Sequence, residues 1–211
     1  MKELLVRTAT GLILIAIALV AVAKGGYLFG YFVAATATAI YYEWMRLVRG
    51  WGLGWKVSGF FYALAPATAL LWLRMLPQDG IALVIWTLIV TWSTDIGAYF
   101  VGRRFGRAKL APSISPNKTV AGLYGGMAAA TVFGATWVIG VGLEQRPLIG
   151  LAPLMAVLAQ AGDLFESWMK RKAGVKDSGN WLPGHGGLLD RLDGLVPVAV
   201  ATALLHVAGL L

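Results

Sequence analysis

Seven stretches of this chain are apolar for about the length a helix needs to cross the hydrocarbon core of a bilayer, roughly 20 residues. They run over residues 4–23, 27–44, 57–76, 81–102, 120–143, 147–169 and 192–211. Backbone polar groups in lipid must be satisfied within the segment, so repeated runs of this kind predict helices. The expected fold is all-α: a polytopic transmembrane bundle of about seven spans, forming one integral-membrane domain over residues 1–211. A mean hydropathy of +0.72 and a charged fraction of 13% agree with that expectation and argue against a soluble domain. The first apolar run is long, lacks a small-residue cleavage site and is followed by others, so it is expected to be a span of a protein starting near Met1. Zero cysteines exclude disulfides and thiolate metal sites.

The formal charge of +8 is distributed unevenly among the connections between the runs. Lys2, Arg7, Arg46, Arg49, Lys56, Arg103, Arg104, Arg107, Lys109, Lys118, Lys170, Arg171, Lys172, Lys176 and Arg191 fall on one side; Lys24, Arg74 and Arg146 fall on the other. The positive-inside rule then places the N-terminus in the cytoplasm and the C-terminus outside. A basic face against anionic lipid headgroups accounts for the charge without nucleic acid. Gly122 and Gly126 fit close helix packing. Trp44, Trp51 and Trp55 fit interfacial anchoring, and Glu43 fits an interfacial charge paired with Arg46 three residues on.

Carboxylates in or beside spans are costly and need a partner or a task. Asp163 and Glu166 are three residues apart near the inner end of the sixth run, and Asp190 and Asp193 are three apart at the entrance of the last. That spacing puts each pair on one helix face. Two such pairs on one membrane side make a candidate divalent-cation site, and oxygen-only ligands suit Mg²⁺ better than zinc. Asp95, in the fourth run, is balanced between a structural and a functional reading. Around the acids stand Lys170, Arg171, Lys172, Lys176, Arg191 and His185, the last inside Pro-Gly-His-Gly-Gly. Cations beside metal-binding carboxylates suit a polyphosphate, and glycines let backbone N–H groups approach one. The connection over residues 102–119 adds five basic residues and two serines on the same side. Arg103, Arg104 and Lys172 taken singly are read as topology signals, and His206 as a packed helix residue.

The run SWMKRKAGVKDSGNWLPGHGGLLDRLDG, residues 167–194, closely resembles the signature of the phosphatidate cytidylyltransferases, or CDP-diacylglycerol synthases. The elements are a Ser, then Lys-Arg, Lys-Asp, Pro-x-His-Gly-Gly and Asp-Arg-x-Asp. Residues 95–119 and the GDLFES stretch around Asp163 resemble further blocks of that family, so the likeness covers the chain from Asp95 onward. Ala121 stands where the family often has an acidic or amide residue.

The resemblance implies a multi-pass enzyme of the bacterial inner membrane that transfers CMP from CTP to phosphatidic acid, giving CDP-diacylglycerol and pyrophosphate with Mg²⁺. Its metal-binding aspartates would fall on Asp163 and Asp190, with Asp193 close by. Ser167, Lys170, Arg171, Lys176, Asp177, His185 and Arg191 would form the catalytic set, and Ser115, Lys118, Gly184, Gly186 and Gly187 would bind substrate. Residues 1–94 would supply N-terminal spans and 95–194 the catalytic region, with cytoplasmic loops 103–119 and 170–191. Phosphatidate brings its own nucleophilic phosphate oxygen, so the enzyme has mainly to position and neutralise. A CTP-dependent transferase on another lipid phosphate and, less favoured, an ion-coupled transporter are the alternatives. A second cation and a homodimer stay open.

Overall fold

The apolar runs fold as helices. The protein is described by a computed structural model over residues 2–182, 184 and 186–211, with residues 2–7 described by their backbone alone. The order is α1 (Lys2–Lys24), α2 (Gly26–Leu47), α3 (Leu53–Met75), α4 (Gly80–Phe105), β1 (Lys109–Ala111), β2 (Ser115–Thr119), α5 (Val120–Gly140), α6 (Pro147–Lys172), α7 (Leu189–Leu192) and α8 (Leu195–Val207).

Each expected span has a helix, but among the described residues four helices are long and apolar enough to cross a membrane: α3, α4, α5 and α6. The last helix, α8, and the stretch Thr8–Lys24 of α1 are apolar but shorter. In α2 the apolar run is diluted by Tyr27, Tyr31, Tyr41, Tyr42, Glu43 and Arg46.

Two further departures matter for the site. The expected all-α fold carries an antiparallel hairpin, β1 with β2, pairing Lys109 with Thr119 and Ala111 with Ser115. A three-residue strand and a partner containing Pro116 offer too little alternation to be read from sequence. The last run is also broken: α7 stops at Leu192, and α8 begins after Asp193 and Gly194. Gly162 of α6 packs against the Asp193 carbonyl, where a Cβ would collide with it.

Small residues bring α4 and α5 together. A Cβ at Gly122 would lie 2.9 Å from the Ala98 carbonyl oxygen, and one at Gly126 would lie 2.9 Å from that of Thr94. Thr119 starts α5 by accepting the Gly122 N–H at 3.0 Å, as an N-cap side chain does. The hairpin is therefore joined directly to the most closely packed helix pair. The main core runs through Leu83, Trp86, Val90, Ala130, Ala156 and Val198. A second apolar cluster, with Ile40, Trp44, Leu47, Val48, Met169 and Leu189, lies where α2, α6 and α7 meet.

Trp44 belongs to that second cluster and is not an interfacial anchor. It is 2% exposed, and its Nε1 donates to the Trp55 carbonyl at 2.7 Å. Trp51, Trp55 and Trp168 surround Lys172, whose Nζ stands 4.4 Å from the Trp51 ring centre. His206 packs edge-on against Trp72.

Candidate functional site

The polar segment between α6 and α7 is wrapped around two of the protein's own carboxylates. Asp190, on α7, accepts from the Gly187 N–H at 2.8 Å and from the Ser178 N–H at 3.0 Å on one oxygen and 3.2 Å on the other. Its Oδ1 also takes Lys170 Nζ at 2.7 Å. Burial works against its charge. Contacts with Glu166 and Lys170 and the Gly187 N–H outweigh that, and hold the carboxyl below the usual aspartate range.

The second carboxylate is Glu43, from α2. It is fully buried and accepts from Ser178 Oγ at 2.9 Å, Leu188 N–H at 3.0 Å and Leu189 N–H at 2.8 Å. The expected pairing of Glu43 with Arg46 is thus wrong: the side chain points into the protein, away from the interface. A Cβ at Gly179 or Gly187 would run into the Glu43 carboxylate. Those two glycines are needed because the acid fills the space, and the N–H of Gly187 is taken by Asp190. Gly184 and Gly186 have φ of +74° and +82°, in the left-handed region that favours glycine, and Leu182 N–H donates back to the Gly186 carbonyl at 3.1 Å to close the turn.

Glu166 completes the buried group. Lys170 Nζ lies 2.5 Å from its Oε2, and Glu166 is 1% exposed. The expected pairing of Glu166 with Asp163 on one ion is replaced by this contact with Lys170 and Asp190.

A different set of acids stays open. Asp163 on α6 takes Lys118 Nζ at 2.5 Å on Oδ2 and the Ser167 hydroxyl at 3.2 Å on Oδ1. Lys118, brought in by β2, also donates to Gln160 Oε1 at 2.8 Å. Asp193, just past α7, feels the negative charges of Asp163 and Asp95 and the positive charge of Lys118. Asp95 of α4 is exposed, and Arg191 acts on it electrostatically. Asp95, Asp163 and Asp193 therefore converge from three elements, Asp95 exposed and the other two half-buried, with Lys118 and Arg191 among them.

The expected metal trio of Asp163, Asp190 and Asp193 is not a preformed cage: among the described residues, no three Asp, Glu or His side chains are gathered closely enough to hold an ion alone. Asp163 and Asp193 face the open region, whereas Asp190 is engaged with Lys170, Ser178 and Gly187. Of the expected catalytic residues, Lys170 and Arg171 sit on the end of α6 and not in a loop. Arg171 donates to the Ile114 and Val175 carbonyls at 3.4 Å each, tying the hairpin to the polar segment. Lys176 and Asp177 are exposed on that segment, Asp177 beside Gly186. Ser115 lies on β2, three residues before Lys118. His185 lies outside the described residues.

The residue that sequence reasoning missed is Glu43. An acid next to Trp44 inside a run of apolar residues was the available signal, and a neighbouring arginine gave it too easy a partner.

Comparison with known proteins adds two findings. The model of the cytidylyltransferase family matches residues 50–208. A protein of Brucella suis biovar 1 (strain 1330) called phosphatidate cytidylyltransferase is 45% identical over 183 residues, covering 85% of this chain and 64% of the relative. Relatives of the same name from Pseudomonas aeruginosa and Bacillus subtilis (strain 168) are 41% and 47% identical, covering 82% and 57% of this chain and 66% and 46% of theirs. The chain thus spans less than two thirds of the length of these relatives.

Proposed function

The chain belongs to the cytidylyltransferase family, and from that premise we propose that it transfers CMP from CTP to phosphatidic acid, releasing pyrophosphate. The observation that carries the proposal is the open group of Asp95, Asp163 and Asp193 interleaved with Lys118 and Arg191, at the meeting point of α4, β2, α6 and α7. Acids and cations alternating at one accessible spot suit the charged phosphates of a nucleotide and a lipid brought together.

We extend the proposal to a divalent ion, Mg²⁺ by the hardness of the donors. The donor set fits it: Mg²⁺ keeps most of its waters and is commonly held by one or two carboxylates plus substrate phosphates, which needs no three-acid cage. Asp163 and Asp193 would hold it, with Asp95 beside them. When bound, it would neutralise phosphate charge and favour departure of pyrophosphate.

The chain's own residues supply the rest. Lys118 bridges Asp163 and Gln160 and carries positive charge into the open group. Ser167 orients Asp163 through its hydroxyl. Lys176, exposed on the segment, and Arg191 are placed to screen the two phosphorylated substrates from each other. No general base is required, because the lipid phosphate monoester is already largely ionised near neutral pH. A groove lined by Trp44, Trp55, Ser58, Phe61, Tyr62 and Phe165 opens beside this region and offers an apolar surface to a lipid. Tyr62 links the two, lying close enough to Asp193 and Glu166 to feel both charges.

We place the protein in the bacterial inner membrane with α1–α6 and α8 as seven spans and the N-terminus in the cytoplasm. The supporting feature is the one-sided distribution of Lys and Arg. A homodimer is compatible with this arrangement.

The test is pyrophosphate release by purified protein in detergent with CTP and Mg²⁺. It is run with dioleoyl phosphatidic acid, with a polyprenyl phosphate, with no lipid, and with ATP replacing CTP. Release that requires both CTP and phosphatidic acid supports the proposal. Release with the polyprenyl phosphate alone moves the substrate to another lipid class, and no release from folded protein overturns nucleotidyl transfer.

A further inference from the structure

We propose that Glu43 is a positioning residue for the nucleotide site, fixing from α2 the segment that carries Lys176 and Asp177 and leads into Asp190. The proposal rests on the nucleotidyl transfer read above.

A fully buried carboxylate is retained only where it is well hydrogen-bonded, because desolvation alone would expel it or neutralise it. Glu43 accepts from three donors, all neutral: one hydroxyl and two backbone N–H groups. Hydrogen bonds of neutral donors to a carboxylate are charge-assisted and strong. The donors lie on two parts of the polar segment. Ser178 follows directly after Lys176 and Asp177, and Leu188 and Leu189 stand where the segment enters α7, 135 to 146 residues away from Glu43 in sequence. Glu43 thus clamps these two parts together, and the segment leaves no room for a side chain at Gly179 or Gly187.

Asp190 uses the same two places from the other side, through Ser178 N–H and Gly187 N–H. The segment is therefore held between two acids, one from α2 and one from α7. Lys176 and Asp177 remain exposed on it, free to meet substrate. Glu43 itself lies beneath the segment, fully buried, and precedes the residues 50–208 that the family model matches. Its role is to keep the segment in shape, and it makes no direct contact with the reacting groups.

The test uses the full chain in detergent with Glu43→Gln, which preserves size but turns an amide NH₂ toward N–H donors. Gly179→Ala serves as a second route, displacing the carboxylate without removing its charge. Two quantities are read. Hydrogen exchange at the Leu188 and Leu189 amides is expected to quicken about tenfold or more. The KM for CTP in the pyrophosphate assay is expected to rise about tenfold, with the melting temperature of the variant showing it folded.

A purely structural role would reduce the amount of competent enzyme, and so apparent kcat, while leaving KM where it was. Unchanged KM for CTP in both variants overturns the positioning role, and unchanged exchange at both amides overturns the clamp itself. If the wild-type protein releases no pyrophosphate, the functional reading fails and the nucleotide part of this proposal fails with it. The exchange measurement still decides whether Glu43 holds the segment.

Discussion

Lys170 places its ammonium between two buried acids, so Lys170→Met tests the electrostatic design of the site directly. Methionine keeps the apolar length of the stem and removes the charge. Lys170 Nζ lies 2.5 Å from Glu166 and 2.7 Å from Asp190, whose side chains are 1% and 5% exposed. Removing one partner of such a group strands a buried charge, at a cost of about 3–5 kcal/mol.

The two acids are not left alike. Asp190 keeps the N–H groups of Ser178 and Gly187. Once the ammonium is gone Glu166 keeps only its contact with Asp190, so the uncompensated charge lies between these two acids. The lower part of the range, about 3 kcal/mol, is therefore expected. For a chain of this size each 1 kcal/mol moves the melting midpoint by about 2–4 °C, which gives a fall of about 6–12 °C. The assay is thermal unfolding in one detergent at pH 7.5. Adding Glu166→Gln to Lys170→Met removes the stranded charge and is expected to recover at least half of the loss. A fall of under 2 °C, or a double variant no more stable than the single one, would refute the account of this cluster.

Chelation should abolish pyrophosphate release, with Mg²⁺ restoring it better than Zn²⁺ because the donors are all oxygen; Asp163→Asn should lower kcat/KM at least a hundredfold in the same assay. Asp190 is held below the usual aspartate range, so its contribution to stability is fully present above the ordinary carboxylate pKa and is lost as pH falls through its lowered value. Melting followed from pH 7 down to pH 3 should therefore show a decline that is shallower in Asp190→Asn. Gly126→Val should destabilise by about 1–3 kcal/mol, because its Cβ would stand 2.9 Å from the Thr94 carbonyl and the two backbones would have to separate. A melting temperature equal to wild type would show that α4 and α5 are not held as closely as the structure has them.

The helices were legible because a membrane leaves little choice: a run of apolar residues about as long as a bilayer is thick has few alternatives to helix. The hairpin was not, since three residues of strand and a proline in its partner carry no periodic signal. The break between α7 and α8 was also hidden. Asp193-Gly194 reads as the start of a long helix until the packing of Gly162 on the Asp193 carbonyl is seen. In the site, spacing three apart put the acids in pairs, Asp163 with Glu166 and Asp190 with Asp193. The tertiary structure pairs them the other way, Glu166 with Asp190 through Lys170, and Asp163 with Asp193 in the open group. Neighbourhood on one helix says which side chains share a face, but not which element faces them.

That exchange of partners has a physical logic. Seven acids attend this region, and repulsion among them would be severe if all stood together. Glu43, Glu166 and Asp190 are turned inward, and lysine, hydroxyl and backbone donors consume their charge. What they gain is shape: the polar segment between α6 and α7, residues 173–188, is held without a large core of its own. Asp95, Asp163 and Asp193 are left exposed or half-buried, where their charge can be met by Lys118, by Arg191 and by cations from solution, while Asp177 stays exposed on the segment. A single point couples the inner and outer groups, the end of α6, where Asp163, Glu166 and Lys170 follow one another over two turns of helix. Helix α6 thus connects Asp163 to Glu166 and Lys170, and the ion pair of Lys170 with Asp190 connects them to the segment. Such a connection predicts that filling the open group with a divalent ion will slow exchange at the Ser178 and Gly187 amides, although neither residue lies in that group.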